Sequence, residues 1–325
     1  MQPMNLPVES PISPMISPYL PPDETSASVD PFLELVQPTQ PSFGIASTSG
    51  PDLKFGSDFL RFYGLRENPF ADSIHPQYFY RTDSHADAFR NMMLAVDFEA
   101  SLGMVTGSSG TGKTLVTQLL LQHLQPPRHQ AIVVSVTPGL SKTGLLREIL
   151  SELNLALPMG VTRVQDLARL LSNHIIDLHQ RGQRLVIILD ECHFLSSDCL
   201  HIVRTISNIE TPEKKLTTCL LFAESRLCQR LSNPSYDSLR NRIYLKSELA
   251  PLDQSDAAQY IKFRLMTAGR LNDLFSDEAL GALQRGSGGI CRSLNKLAML
   301  SMVEGAMQQR RSIDESIVNK CATRL

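Results

Sequence analysis

The chain alternates between short, continuous apolar runs and longer stretches in which apolar residues recur every three or four positions. The short runs indicate buried strands, and the wider spacing predicts helices. Strands are predicted at 102–105, 131–136, 185–189 and 216–222, with helices at 84–100, 114–121, 141–153, 162–180 and 197–208. Because continuous apolar strands require a sheet that is covered on both faces, the pattern predicts a three-layer α/β core around a parallel sheet.

The pattern becomes wholly helical after Asp253. Apolar residues at helical spacing predict helices at 256–268, 277–283 and 291–307. Ser276-Asp277-Glu278 has the composition of a helix start, and Ser287-Gly288-Gly289 has that of a break between helices. We therefore predict a small α-helical lid over residues 251–325, which follows a core over residues 58–250.

Proline dominates the beginning of the chain. Residues 1–57 hold 11 of the 20 prolines, and Ser, Thr and Gln fill much of the remainder. Proline interrupts helices and strand ladders, and the few apolar residues cannot offset the entropy of ordering the segment. We predict a disordered, Pro-rich N-terminal tail, which either recruits proline-reading partners or only spaces the domain.

Charge and cysteine usage bear on the cellular compartment of the protein but do not identify its function. The formal net charge is −2, divided into −6 over residues 1–60 (one Lys against seven Asp or Glu) and +4 over the remainder. A balance this mild does not identify a nucleic-acid binder. The six cysteines form no C-x-x-C pair, no apolar run approaches the ~18 residues of a membrane span, and no signal peptide is present. These features predict a cytoplasmic protein without a transmembrane segment.

A glycine-rich segment between the first predicted strand and the next helix has the most specific chemistry. Gly107-Ser108-Ser109-Gly110-Thr111-Gly112-Lys113-Thr114 matches the pattern G-x-x-x-x-G-K-[ST] without a departure. Its glycines allow a tight turn that aims backbone N–H groups inward, and the helix dipole adds positive charge. The segment predicts a cradle for the phosphates of a nucleoside triphosphate. Lys113 would reach the β- and γ-phosphates, and the Thr114 hydroxyl would complete the ligands of a Mg²⁺ ion.

An acidic pair follows the third predicted strand. Asp190 and Glu191 come directly after the apolar run 185–189, at the sheet edge where the phosphate loop is also expected. In that position an aspartate orients Mg²⁺ through its water shell, and a glutamate activates the attacking water. The pair therefore predicts hydrolysis of the nucleotide rather than binding alone.

Other polar positions are candidates for residues that respond to the γ-phosphate. Glu224 and Ser225 follow the strand predicted at 216–222, whose end would lie between the loops of the first and third strands. One of these two is the candidate first sensor, although a plain strand end explains them equally well. Arg292 lies in the first turn of the third lid helix, aimed back at the phosphates, and is the candidate second sensor.

Two arginines enter the predicted last, short strand at the edge of the core. Arg240 and Arg242 occur in Leu239-Arg240-Asn241-Arg242-Ile243. In assembled ring ATPases an arginine at this position reaches the γ-phosphate of the neighbouring subunit. The two would share one face if the strand had already begun, so spacing does not choose between them.

Aromatic residues precede the phosphate loop at Tyr78-Phe79-Tyr80. Such residues cover a nucleotide base in an apolar slot, or they pack in the core. The sequence favours neither interpretation.

Several motifs follow one another in an order that resembles a known family. They are Tyr63-Gly64-Leu65, Asn68-Pro69-Phe70, Ser84-His85, 107–114, Leu189-Asp190-Glu191, 239–243, Arg264-Leu265, Ala268-Gly269 and 289–295. Together they resemble the AAA+ ATPases of the ExeA/GspA type, which are linked in bacteria to general (type II) secretion. The resemblance covers about residues 59–307.

The resemblance implies an AAA+ P-loop fold, ATP and Mg²⁺ as cofactors, and hydrolysis in a homo-oligomer. The residues that it implies for these roles are Lys113, Thr114, Asp190, Glu191 and Arg292. It favours Arg242 over Arg240 as the arginine finger. Two positions depart from the family pattern, because Ala223-Glu224 replaces Gly-Gln after the fourth strand and Cys291 replaces a proline in the lid.

Three functions follow as hypotheses. The first is an ATP-driven factor that assembles or remodels a protein complex, with secretion or envelope machinery as its partner. The second is a DNA-linked ATPase of the transposition-regulator kind, which shares the core and the lid. The third is a nucleotide-gated scaffold whose Pro-rich tail recruits partners. The sequence names neither the partner nor the ring size.

Overall fold

A five-stranded parallel sheet organises the part of the chain that the computed structural model describes, which is residues 53–71, 76–158 and 160–324. The strands are β1 (Leu102–Gly107), β2 (His129–Ser135), β3 (Arg184–Asp190), β4 (Thr217–Ala223) and β5 (Ile243–Leu249). Their order is β2-β3-β4-β1-β5, and every neighbouring pair is parallel. The four strands predicted from apolar runs are confirmed to within two residues at each end.

Helix α1 (Leu53–Tyr63) opens the described part of the chain. Its first five residues belong to the segment 1–57 that the sequence predicts as a disordered tail, so this boundary was placed too late. A helix forms here because residues 53–63 contain no proline, and because Phe59 and Tyr63, four positions apart, lie on one face. The rest of the predicted tail, 1–52, lies outside the described residues.

The inner strands are continuously apolar because they are covered on both faces. Every residue of β1 and β4 is buried, and so is every residue of β3 after Arg184. The helices that pack around the sheet are α2 (Asp83–Asp97), α3 (Lys113–His123), α4 (Lys142–Glu152), α5 (Val164–Gln180) and α6 (Ser197–Ile206). The predicted α/β core is thereby confirmed.

The connection from β4 to β5 differs from the prediction. It contains two short helices, α7 (Arg226–Leu231) and α8 (Asp237–Arg240). Arg240 ends α8, and Arg242 lies in the turn before β5, where its backbone N–H donates to Leu239 O (3.0 Å). The prediction that both arginines enter a strand was therefore wrong, and the rule that residues two apart share a strand face does not apply to them.

The described residues after β5 form the lid. Its helices are α9 (Gln254–Thr267), α10 (Asp277–Ser287), α11 (Cys291–Met307) and α12 (Glu315–Ala322). The first three correspond to predicted helices, and α10 extends four residues further than expected. Helix α12 was missed because it is short and buries few apolar side chains, namely Ile317, Val318 and Cys321. Asp314 caps it by accepting a hydrogen bond from the backbone N–H of Ile317.

Helix α1 packs with the lid rather than with the sheet. Phe59, Tyr63, Leu65 and Phe70 belong to one apolar cluster with residues of the lid helices. The Tyr63 hydroxyl donates a buried hydrogen bond to Met302 O (2.8 Å). Residues 58–70, which the predicted division places in the core, therefore pack as part of the lid.

Replacing Tyr63 by phenylalanine is expected to lower the free energy of unfolding by about 1 kcal/mol. The ring would stay in the lid cluster, but Met302 O would lose its buried donor. Urea unfolding measures the difference. Tyr244→Phe is the control, because the Tyr244 side chain is exposed and should tolerate the change. Equal effects of the two substitutions would count against the hydrogen bond as the cause.

Candidate nucleotide-binding site

The carboxyl ends of β1, β3 and β4 meet at one edge of the sheet, because β4 lies between the other two strands. Gly107 ends β1, Asp190 ends β3 and Ala223 ends β4. Ligands of open parallel sheets bind at this edge. The segments that follow these three strands carry most of the residues that the sequence predicts for the site.

Glycine is required at two positions of the phosphate loop. Gly110 and Gly112 have φ angles of +83° and +101°, which strain any residue that has a side chain. A β-carbon at Gly110 would lie 2.7 Å from Arg292 Cβ, and one at Gly112 would lie 2.7 Å from His85 Nε2. The loop is therefore in close contact with α11 of the lid on one side and with α2 on the other.

Lys113 lies inside this loop at the start of α3. Its Nζ donates hydrogen bonds to the carbonyl oxygens of Gly107 (3.1 Å) and Ser108 (3.0 Å). Burial lowers the pKa of Lys113, and the nearby carboxylates of Glu191 and Asp190 act in the opposite direction. A buried amine enclosed by the loop fits the phosphate-binding role that the sequence predicts for it.

Thr114 and Asp190 are in contact although 76 positions separate them in the sequence. The Thr114 hydroxyl donates to Asp190 Oδ2 (2.9 Å), and Asp190 Oδ1 accepts from the backbone N–H of Glu191 (2.8 Å). Hydroxyl and carboxylate oxygens are the hard ligands that Mg²⁺ prefers. The pair fits the predicted Mg²⁺ site.

Glu191 has a left-handed backbone conformation, with φ of +58°. This conformation is uncommon for a residue with a side chain, and such backbone strain is concentrated at functional sites. The Glu191 side chain lines the pocket that also contains the phosphate loop. It is therefore placed where the sequence expects the group that activates water.

The phosphate loop, Glu191 and the lid surround an open pocket. Tyr78, Phe79 and Tyr80 line it together with Tyr260 of α9. Tyr78 and Phe79 are also buried, so the aromatic segment both packs in the interior and forms a wall of the pocket. An apolar wall of this kind suits a flat heterocyclic base.

Arg264 of α9 holds this wall together and is a residue that the sequence analysis missed as part of the site. Its guanidinium donates to the carbonyl oxygens of Pro69 and Ala71 and to the Tyr260 hydroxyl. It also lies over the Tyr78 ring, 4.6 Å from the ring centre. Arg264 occurs in a motif of the resemblance, but nothing in its spacing predicts these contacts.

His85 of α2 is a second missed residue. Its Nε2 lies 2.9 Å from Thr111 O, and its Nδ1 lies 2.6 Å from the Thr82 hydroxyl. Because a carbonyl oxygen only accepts, Nε2 must donate to Thr111 O, and Nδ1 accepts from Thr82 in the neutral ring. Burial lowers the pKa of His85, which favours that neutral form. His85 therefore fixes the phosphate loop, a role that its position in the sequence does not reveal.

Arg292 connects the lid to the phosphate loop. Its backbone N–H donates to Gly110 O (3.3 Å), and its Nη1 donates to the Ser109 hydroxyl (3.2 Å). The side chain also lines the pocket. The candidate second sensor thus lies beside the loop, while its role as a sensor stays a prediction.

The two candidates for the first sensor occupy different positions. Glu224 Oε2 pairs with Arg226 Nε (3.1 Å), and Glu224 is one of the charges that raise the pKa of Lys113. Ser225 instead is the N-cap residue of α7. Glu224 is therefore the candidate whose charge reaches the phosphate loop, and the sensor role itself stays a prediction.

Arg240 and Arg242 are not among the described residues that line the pocket. Arg240 pairs with Asp237 (2.7 Å), and Arg242 Nε donates to Asn208 Oδ1 (2.8 Å). An arginine finger acts on the site of a neighbouring subunit, so a position away from its own pocket leaves both residues as candidates.

Known proteins are similar to this chain in sequence. A family model described as an AAA domain matches residues 96–231. General secretion pathway protein A of Aeromonas hydrophila is 33% identical over 247 residues, which make up 75% of this chain and 44% of that protein. The chain therefore spans less than half the length of this curated relative.

Solved structures are similar in fold. The Aeropyrum pernix ORC2 protein has a TM-score of 0.59 at 16% identity, over 79% of this chain and 71% of that one. Drosophila ORC bound to DNA has a TM-score of 0.61 at 14% identity, over 86% of this chain and 69% of that one. At such identities the likeness shows the fold alone.

The sheet, the phosphate loop and the α-helical lid define a P-loop protein of the AAA type. Its similarity to general secretion pathway protein A confirms the predicted resemblance, so the chain is related to the AAA+ ATPases of the ExeA/GspA type. Among the described residues, none of the helices combines the length and the apolar character that a membrane crossing requires.

Proposed function

We propose that the chain binds ATP together with Mg²⁺ and hydrolyses it. The observation that carries this proposal is the meeting of Lys113, the Thr114–Asp190 pair and Glu191 around one pocket. Backbone N–H groups of the loop and Lys113 would hold phosphate oxygens. The Thr114 hydroxyl and Asp190 would hold Mg²⁺, which when bound neutralises charge on the phosphates.

Glu191 is the group that we propose as the general base. Its carboxylate lines the pocket but is separate from the Thr114–Asp190 pair, so it is available to take a proton from water. Arg292 would report the nucleotide to the lid, because it contacts the phosphate loop through Ser109 and Gly110. Glu224 would act as the first sensor.

Phosphate release from ATP by the purified full chain tests this proposal. We expect release with Mg²⁺ present and none after the metal is removed with EDTA. Tight binding of ATP without phosphate release at any protein concentration would contradict hydrolysis, and it would favour the nucleotide-gated scaffold instead.

We further propose that the active form is a homo-oligomer in which an arginine of one subunit completes the site of the next. Neither Arg240 nor Arg242 is among the described residues that line the pocket, and Arg242 is the better candidate because the family resemblance favours it. Loss of an arginine finger costs roughly 10³–10⁵ in rate. Arg242→Ala alone should therefore be nearly inactive.

A mixing experiment is expected to restore activity if sites are shared. Arg242→Ala keeps an intact pocket, and Glu191→Gln keeps an intact Arg242, so mixed oligomers would contain complete sites. Phosphate release by the mixture should exceed the sum of the separate proteins. The same mixture with Arg240→Ala in place of Arg242→Ala is the matched comparison that identifies the finger. Strictly additive activity in both mixtures would argue against shared sites.

We propose that the ATP cycle is coupled to the assembly or remodelling of a protein complex. The similarity to general secretion pathway protein A supports secretion or envelope machinery as that partner. The direct contact between Arg292 and the phosphate loop offers a route from the nucleotide to the lid. A gel-shift assay at low salt, with and without ATP, tests the DNA-linked alternative, which predicts binding that falls steeply with salt. Absence of any shift would favour the protein partner.

We propose the cytoplasm as the compartment, where ATP is available. All six cysteines are free thiols, which is the usual state in a reducing compartment.

A further inference from the structure

A buried histidine lies between two carboxylates at the edge of the pocket. His193 belongs to the short 3₁₀ turn Cys192–Phe194 that follows Glu191, and its side chain is only 1% exposed. Its Nδ1 lies 3.4 Å from Glu191 Oε2, and its Nε2 lies 3.9 Å from Glu224 Oε1. The imidazole therefore connects the end of β3 to the end of β4.

The arrangement is a bridge rather than a chelating set for a metal ion. Glu191, His193 and Glu224 do offer ligand atoms within 4.8 Å of one another. However, the two carboxylates approach opposite nitrogens of the ring, and one metal ion binds only one of these nitrogens. The shortest contacts therefore do not converge on a single point, and the function of the ring must lie in the contacts themselves.

Two groups compete for Nδ1 of His193. The backbone N–H of Glu224 donates to it (3.3 Å), which requires a lone pair on Nδ1. Glu191 Oε2 faces the same nitrogen and accepts only when Nδ1 carries a hydrogen. Whether Nδ1 carries a hydrogen therefore decides whether the ring forms a hydrogen bond with the Glu191 carboxylate.

The surroundings of His193 restrict its motion. The imidazole of His193 packs against the Phe194 ring, with 4.1 Å between the ring centres. The Arg226 guanidinium lies over the Phe194 ring, 5.1 Å from its centre. Arg226 also pairs with Glu224, which anchors the far carboxylate. The imidazole thus has fixed neighbours on several sides, as expected for a group that orients another.

Opposing charges surround the ring. Burial lowers the pKa of His193, with Arg226 and Lys113 acting in the same direction, whereas Glu224 and Glu191 raise it. The neutral ring carries one N–H hydrogen, on either Nδ1 or Nε2, and the charged ring carries both. The two tautomers and the charged form therefore differ in whether Nδ1 can donate a hydrogen bond to Glu191.

We propose that His193 is a positioning residue for hydrolysis, which orients Glu191 through Nδ1 and couples it to Glu224 at the end of β4. The proposal rests on the proposed role of Glu191 as general base. It also gives a role to Glu224, which replaces the glutamine that the resembled family carries there. A negative side chain at this position faces Nε2 of the ring, and Arg226 compensates its charge.

Two substitutions separate the functions of the ring nitrogens. Asparagine places its amide nitrogen near the position of Nδ1, and glutamine places its amide nitrogen near that of Nε2. His193→Gln should lower kcat by about 10- to 100-fold, the scale found when a group that orients a reacting ligand is lost. His193→Asn should recover much of that loss. The Kd for ATP, measured with a fluorescent analogue, should stay close to that of the wild type in both.

His201→Asn is the matched control, because His201 is exposed on α6 and away from the pocket lining. Its kcat should equal that of the wild type. Equal kcat values for wild type, His193→Gln and His193→Asn, alongside an inactive Glu191→Gln, would overturn the positioning role. A wild-type chain without ATP hydrolysis would instead overturn the proposed function itself.

A double-substitution cycle tests the coupling, and its single variant Glu224→Gln covers the case in which a buried His193 variant folds poorly. Glu224→Gln removes only the charge of a part-exposed side chain and should lower kcat several-fold without changing the Kd for ATP. The double variant His193→Gln/Glu224→Gln should be no slower than His193→Gln alone, because the two act as one unit. Fully additive losses, or a Glu224→Gln kcat equal to that of the wild type, would refute the coupling.

Discussion

Lys113→Ala is expected to abolish ATP binding. The Lys113 Nζ is buried within hydrogen-bond distance of the Gly107 and Ser108 carbonyl oxygens, in the concave side of the loop where phosphates would lie. Its removal leaves the phosphate charge without its buried partner, a loss of at least about 3 kcal/mol, or more than about 100-fold in Kd. Titration with a fluorescent ATP analogue measures the change directly.

Lys142→Ala is the matched control for this experiment. Lys142 lies at the exposed start of α4 and pairs with Asp198 (3.1 Å), remote from the lining of the pocket. Its ATP affinity should equal that of the wild type. An affinity of Lys113→Ala close to that of Lys142→Ala would mean that the nucleotide binds elsewhere. Thermal unfolding without nucleotide would show whether either variant is simply unfolded.

The sheet, and the edge of the sheet that carries the site, could be predicted from the sequence. The strands follow from local apolar runs, and the position of the site follows from the topology of a parallel sheet. Runs such as 185–189 are apolar along their whole length, since a strand covered on both faces has no position for a polar side chain. The contact between Thr114 and Asp190 follows from topology, because parallel strands end at the same edge whatever their separation in sequence.

The contacts of His85 and Arg264 could not be predicted, since each depends on packing between distant segments. Arg264 of the lid reaches the carbonyl oxygens of Pro69 and Ala71, and His85 of α2 reaches Thr111 O in the phosphate loop. Neither residue type is specific to such a role. The motifs of the family resemblance contain both, but a motif shows that a residue recurs, not what it contacts.

The arginines before β5 show the limit of periodicity over short segments. A stretch of four residues such as α8 fits the spacing of a strand and of a helix equally well. What decides is the hydrogen-bonding of the backbone, which the sequence pattern does not contain. The shortness of α12 likewise explains why it was missed, whereas α1 was divided between the tail and the core because the tail boundary was drawn from proline content.

Glu191→Gln is expected to keep ATP binding and to lower turnover by a factor on the order of 10²–10³, the usual scale for one positioned catalytic group. Glutamine has the size of glutamate but cannot take a proton from water. The Thr114–Asp190 pair and the hydrogen bonds of Lys113 remain in place, because none of them involves the Glu191 side chain and the backbone N–H of Glu191 still donates to Asp190. The measurements are phosphate release and the Kd for ATP on the same protein preparation.

Lys113→Ala and Glu191→Gln should have different effects. Lys113→Ala should lose ATP binding, whereas Glu191→Gln should lose only ATP hydrolysis. Glu152→Gln on the exposed end of α4 controls for the chemical change and should turn over as the wild type does. Undiminished phosphate release by Glu191→Gln would mean that another group activates the water. Glu224, which lies near the same histidine as Glu191, is the next candidate in that case, and Glu224→Gln in the same assay would then carry the large loss that is expected here of Glu191.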